Sequence, residues 1–297
     1  MLGDVEALWH TLANMLPILV GLGSALCAAL AHRLGPKATA GRAAEELEAI
    51  NFAIMGVMLA VVLAAVPDLY QLRLSAAGVG LLALVVAIDS AGNYFLFKTY
   101  RQSHPTVATP LLSLAPAFAF PISWLAPLPH EDGGLTIVLG YGATLLVVLV
   151  AMDWKNLRHF QQVTFFPAIL SSLCFGLSAV PTRYLLREWH EINAPTLYMV
   201  RAFLIAAVGV ALWRGRALPR LPLTQLRMIS LRGVFVILQY LLLYKALTLN
   251  SVGVALTLAN VTPALVLLGG VLFLGETWSW KRVVPSLLAI AAAILMR

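Results

Sequence analysis

A chain of 297 residues that is 61% hydrophobic and only 11% charged carries about half the charge of a soluble domain of that length. Its net charge of +7 and mean hydropathy of +0.88 argue against a soluble nucleic-acid binder, because the apolar residues form runs long enough to cross a bilayer. Cys27 and Cys174 lie inside such runs without a CxxC neighbour, so no metal, redox centre or cofactor is expected.

Ten apolar segments follow in order, near 8–31, 49–66, 76–100, 105–126, 134–152, 163–187, 195–214, 229–248, 251–274 and 280–296. Helix is the state to expect, since a backbone in lipid must satisfy its own hydrogen bonds. The short alternating strands of a closed barrel are absent. The opening MLGDVEALWH has no basic stretch and no small-residue cleavage site, so no cleaved leader is expected. The longest connections are 33–48 and 215–228, and neither is large enough for a soluble domain.

Lysine and arginine placement sets the orientation. With the N-terminus outside, 14 fall on the inner side, among them Arg42, Lys98 and Arg232. The outer side holds 5, among them Arg183 and Lys245, with Arg201 left out as intramembrane. The positive-inside rule then places both termini away from the cytoplasm, as in a bacterial inner membrane.

A shift of 147 positions relates the two halves. Lys98 falls on Lys245 and Pro116 on Pro263. Ser24–Leu30 reads SALCAAL, and Ser171–Leu177 reads SSLCFGL. Ala60, Val61 and Ala64 fall on Ala207, Val208 and Ala211. Single matches arise by chance between Ala- and Leu-rich helices, but one constant offset for all of them points to duplication. The fold class expected is an all-α membrane protein of ten transmembrane helices in two inverted five-helix repeats. The repeats are 1–152 and 153–297, in one integrated transmembrane domain. Five helices is an odd number, so the second copy enters the membrane from the other side. That architecture suits alternating access around a site at the midplane.

Few residues in the apolar runs can carry chemistry. Lys98 and Lys245 end equivalent helices at opposite mouths, where they either snorkel outward or attract an anionic group. Tyr94 shares a face with Lys98, and Tyr240 lies a turn before Tyr244. Asp89, deep in the third segment, has Val236 as its counterpart and is the candidate for coupling or proton relay. Asn93 shares its face. Arg201 is the candidate charge partner of Asp89, although it lies about two turns from its helix start and Asp89 nearly four. An interfacial arginine holding headgroups is the plainer alternative. Asn260, Thr257 and Thr262 beside Pro263, and Ser113 beside Pro116, either re-satisfy carbonyls freed by proline or line a cavity. Trp124, Tyr141, Tyr198, Trp278 and Trp280 read as an interfacial belt. The six histidines are scattered over termini and loops, His32 included. A nucleotide-binding loop, an HExxH helix and a serine elbow are all missing from the sequence.

The stretch LLYKALTLNSVGVALTLANVTPALVLLGGVLFLGE, from Leu242 to Glu276, resembles the EamA family of the drug/metabolite transporter superfamily. RAFLIAAVGVAL from Arg201 resembles the arginine-led opening of an equivalent family helix. The likeness is specific mainly from Pro195 to Glu276. The first half departs from the pattern: its third segment ends FKTYRQSHP, and its second has no arginine in the place of Arg201. The resemblance implies ten helices, a central cavity between helices 1–4 and 6–9, and efflux or exchange of small metabolites. The acidic residue that four-helix multidrug members carry in helix 1 has no counterpart here.

The reading is therefore a non-enzymatic secondary transporter of small organic solutes, such as amino acids or other carboxylate-bearing metabolites. Its expected substrate ligands are Lys98, Lys245, Tyr94, Tyr240, Asn93 and Asn260, with Asp89 for coupling to a proton or counter-solute. The partners expected are that solute and the lipid bilayer, not nucleic acid. A membrane-embedded lipid-modifying enzyme and a passive channel are the alternatives. The first needs a polar cluster on one leaflet side, and the second needs no titrating Asp89.

Overall fold

The computed structural model describes residues 2–39, 41–102, 111–126, 138, 142, 162–213, 221–259, 261–262, 265–266, 280 and 284. The described chain is helical: α1 Leu2–Thr39, α2 Ala44–Ala65, α3 Ala76–Gln102, α4 Ala115–Leu125, α5 Gln162–Arg183, α6 Ala194–Leu212, α7 Leu223–Leu249 and α8 Val252–Ala259. Six of these contain stretches long and apolar enough to span a membrane, and α4 is a shorter apolar helix. The fifth and tenth expected segments lie almost wholly outside the described residues, as does most of the ninth beyond α8.

The helices overrun their apolar runs. α1 continues to Thr39 and α2 begins at Ala44, so the long connection expected over 33–48 shrinks to a few residues. Likewise α7 begins at Leu223 rather than near 229. Hydropathy marks where lipid begins, not where the helix does. Glu45 and Glu46 in the first turn of α2, and Lys37 in the last turn of α1, suit the helix dipoles there and extend both helices.

Two arginines near the ends of their apolar segments, counted with the outer and inner sides, are buried. Arg183 and Arg232 are 0% and 4% exposed. Arg183 donates to the Asn250 carbonyl at 3.1 Å and lies 3.5 Å from Glu188. It stands where α5 widens into a π turn, Tyr184–Glu188, closed by the Trp189 amide on the Tyr184 carbonyl. Arg232 lies two and a half turns into α7, and its Nη1 donates to Asn51 Oδ1 at 3.1 Å. Both sit close enough to a helix end to pass for loop cations in sequence.

Helices pair across the halves. α1 lies along α7, α3 along α5, α2 along α6, and α4 against α5 and α8. Small residues allow close backbone approach, the usual device in lipid. A Cβ on Gly209 would stand 2.6 Å from the Ala49 nitrogen, and one on Gly176 would stand 2.4 Å from the Ala115 carbonyl oxygen. Serines add cross-links. Ser24 Oγ donates to the Gln239 carbonyl at 2.9 Å, joining α1 to α7. Ser171 Oγ donates to the Gly92 carbonyl at 2.9 Å, joining α5 to α3. Donors and acceptors are both 147 positions apart (171 − 24 and 239 − 92). The self-equivalent pair Gly56 and Phe203 is also in contact, with a Cβ on Gly56 falling 3.0 Å from the ring.

At one end the connection between α2 and α3 is tied to that between α5 and α6. Leu72 bridges Ile192, Arg73 N donates to the Glu191 carbonyl at 2.8 Å, and Asn193 Nδ2 donates to the Leu69 carbonyl at 2.7 Å. Asn193 also caps α6, accepting from the Thr196 amide. At the other end Gln225 donates to the Ala38 carbonyl at 3.3 Å and accepts from Arg42 at 3.5 Å. The core lies between, on the facing stripes of α2, α3, α5, α6 and α7.

Candidate functional site

An internal cavity of about 130 Å³ opens among α1, α3, α4, α5, α6 and α7. Its walls are largely apolar, with a few polar groups facing inward: Ser24 and His32 on α1, Ser178 and Thr182 on α5, and Gln239 on α7. A small number of placed polar groups in an apolar wall is the usual make-up of a solute site.

Asp89 of α3 and Arg201 of α6 both line it, each 1% exposed. Arg201 Nε lies 2.7 Å from Asp89 Oδ2. The guanidinium is also walled by tyrosines. Its carbon stands 4.3 Å from the Tyr240 ring centroid and 5.5 Å from that of Tyr198, and Nη1 donates to the Tyr244 hydroxyl. The spacing accounts for the cage. Tyr198 precedes Arg201 by three residues, and Tyr240 precedes Tyr244 by four, so each pair shares a helix face. The rings pack on one another with centroids 5.2, 6.4 and 5.9 Å apart. Tyr198 is anchored by donating to Met55 Sδ at 3.3 Å. Cation–π contact and ion pairing together hold a charge that lipid would otherwise make costly.

Arg201 is thus not an interfacial residue holding headgroups. Depth counted in turns from each helix start ignores the reach of the arginine side chain and any offset between helix ends, and the 2.7 Å contact bridges that difference. Tyr198, read as a belt residue, is fully buried, whereas Trp124 and Trp280 are 66% and 64% exposed. His32, expected in a loop, lies within α1 and bonds through Nδ1 to the Tyr100 hydroxyl.

Of the expected substrate ligands, Tyr240 alone among the described residues lines the cavity. Asn93 Nδ2 donates back to the Asp89 backbone carbonyl at 2.7 Å, which spends its amide on its own helix. Tyr94 packs edge-on against Phe95. Lys98 is half-buried near the end of α3. Lys245 is exposed, on a surface recess with Arg187, Glu188 and His190. Asn260 lies outside the described residues. The polar residues around the prolines do reach the cavity: Ser113, Pro116 and Thr262 line it. Thr262 Oγ1 also donates to the Ala259 carbonyl at 2.6 Å.

A second polar group lies beside the first. Glu48 of α2 is 0% exposed and accepts from Ser90 Oγ at 2.5 Å. Arg232 stands over the Phe97 ring, 5.4 Å from its centroid. The signal for Glu48 was present in AEELEAINF, but its place near a helix start made it resemble Glu45 and Glu46, which lie in the first turn.

Apolar spans that enclose a polar-lined cavity with a buried ion pair define an integral membrane protein with an internal solute-sized site. More narrowly, residues 163–297 match the model of the EamA-like transporter family. The stretch from Pro195 to Glu276 lies inside that match. A protein of known crystal structure shares the fold at TM-score 0.68 and 13% sequence identity, over 94% of this chain and 96% of its own. Nothing among the curated proteins matches the chain.

Proposed function

We propose that the protein is a secondary transporter of small organic solutes that carry a carboxylate, amino acids foremost, working by alternating access between two inverted five-helix repeats. The observation that carries this reading is the buried Asp89–Arg201 pair lining a cavity that Tyr240 and Tyr244 also line. A buried ion pair broken from one side leaves an uncompensated charge and is strongly unfavourable. A solute with both signs a few ångströms apart avoids that penalty: its carboxylate takes Arg201 while its ammonium takes Asp89. Tyr240 and Tyr244 then hold the guanidinium through the exchange. Solute binding and opening of the pair become one event, which is the coupling that Asp89 supplies.

The inverted repeat is supported by the cross-half packing. Exchanging the copies turns the α1–α7 pair into the α5–α3 pair, turns the Ser24 bond into the Ser171 bond, and leaves α2 on α6. Ten helices would complete it, with the fifth and tenth at the periphery. The orientation survives the burial of Arg232 and Arg183, since one cation leaves each side and 13 remain inside against 4 outside. Both termini then face away from the cytoplasm of a bacterial inner membrane. Lys98 and Lys245 sit at opposite mouths and draw anionic groups toward them.

Counterflow in proteoliposomes tests this. Preloaded unlabelled amino acid should drive accumulation of its labelled form with wild type and not with Asp89→Asn/Arg201→Met. Accumulation that is equal in the two, or absent for every amino and small carboxylic acid tried, contradicts the proposal.

A further inference from the structure

We propose that Glu48 is a proton-binding site, joined to the ion pair at the solute cavity through Ser90 of α3. Three observations carry it. First, Glu48 is fully buried, and its Oε2 has no hydrogen-bond partner, while Oε1 accepts from Ser90. Second, no ion pair to it is found among the described residues. On the elements packed against α2, the buried cations are Arg201 of α6, which is held by Asp89, and Arg232 of α7, which is held by Asn51 and the Phe97 ring. Neither forms an ion pair with Glu48 among the described residues. The other buried or half-buried titratable groups on those elements are Asp89, Tyr94, Lys98 and Tyr100 of α3, Tyr198 of α6, and Tyr240 and Tyr244 of α7. On α2 itself Glu46 is bound to Arg42 at 2.6 Å, and Glu45, half-buried, stands one turn before Glu48. Third, Ser90 follows Asp89 directly, so the helix that carries the ion pair also carries the only hydrogen bond described for Glu48.

The two carboxyl groups respond oppositely to a proton. Adding one to Asp89 leaves the Arg201 guanidinium without its counter-charge in the interior. Adding one to Glu48 removes a buried charge that no described cation pairs with. Glu48 also lies past the first turn of α2, so the free amides of the helix start do not serve it. Proton binding at Glu48 alters its bond to Ser90 and with it the seating of α3 against α2, one residue from the solute pair. The coupling role rests on the transporter reading above, but the proton site does not.

Infrared difference spectroscopy of the full chain in lipid bilayers decides the matter. Wild type should show the carbonyl stretch of a protonated carboxyl at neutral pH. The band should be lost in Glu48→Gln and kept in Asp89→Asn. It should vanish reversibly in wild type as pH rises, while the protein stays folded. An absent band, a band kept in Glu48→Gln, or one unchanged up to the pH of unfolding overturns the proposal. If Glu48→Gln does not fold, Ser90→Ala replaces it: removing the donor should raise the band's frequency, and an unmoved band overturns the proposal. In proteoliposomes an imposed pH gradient should speed labelled amino-acid flux in wild type and not in Glu48→Gln. Flux with no titrating band sinks Glu48 alone. A titrating band with no flux of any amino acid sinks the transporter reading alone.

Discussion

Asp89 and Ser90 follow one another on α3, about 100° apart around the helix, and so serve different neighbours. Asp89 faces α6 and meets a guanidinium; Ser90 faces α2 and meets a carboxyl group that pairs with no cation among the described residues. The contrast shows two ways of keeping charge inside a membrane protein. One is to compensate it, at the risk that losing either partner strands the other. The other is to let a proton neutralise it, which makes the group responsive to pH.

The largest effect should come from stranding a charge. Arg201→Met removes the partner of Asp89 and should cost about 3–5 kcal/mol of stability. Asp89→Asn/Arg201→Met should recover part of that loss, which a double-mutant cycle on thermal midpoints would read as a coupling energy. Additive losses would mean that the pair is not a unit. Gly176→Ala should come next, at about 1–3 kcal/mol, because its Cβ meets the Ala115 carbonyl backbone at 2.4 Å. Gly80→Ala is the control, since nothing lies within 4 Å of that Cβ. It should be neutral or slightly stabilising.

Smaller effects sharpen the relation between the halves. Ser24→Ala and Ser171→Ala each remove one 2.9 Å bond to a carbonyl and should each cost about 0.6 kcal/mol, a typical value between transmembrane helices. Equal losses fit equivalent places in two copies, and a large inequality would argue against them. Lys245→Ala should leave the thermal midpoint unchanged, since the side chain is exposed at the end of α7. It should slow entry of an anionic solute at low salt only, through loss of a steering charge.

Much of the fold was legible in the sequence, because lipid forces helices and hydropathy marks them. Asp89 and Arg201 were legible too, as lone charges in apolar runs. What misled was position along a helix. His32, Glu48, Arg183 and Arg232 stand close to helix ends, where composition looks like a loop, yet all four lie inside helices, with Glu48, Arg183 and Arg232 buried. Burial there depends on which neighbour covers the helix end, and nothing local encodes that. Tyr198 shows the same limit. A tyrosine one turn into a span suits a membrane interface and a cage around arginine equally well. Lys98 and Tyr94 share a helix with Asp89 but not its cavity, because a helix has several faces and only one looks inward; Asn93 shares the face but spends its amide on the Asp89 carbonyl.

The most direct measurement is the thermal midpoint of the purified protein against a panel of amino acids and small carboxylic acids, for wild type and for Asp89→Asn/Arg201→Met. A solute bound to the native state at a hundredfold excess over its Kd adds about 2.7 kcal/mol of stability. The predicted result is such a rise with at least one zwitterionic solute in wild type, and none in the double variant. No rise with any solute, or a rise that the double variant keeps, would contradict a solute site at the Asp89–Arg201 pair.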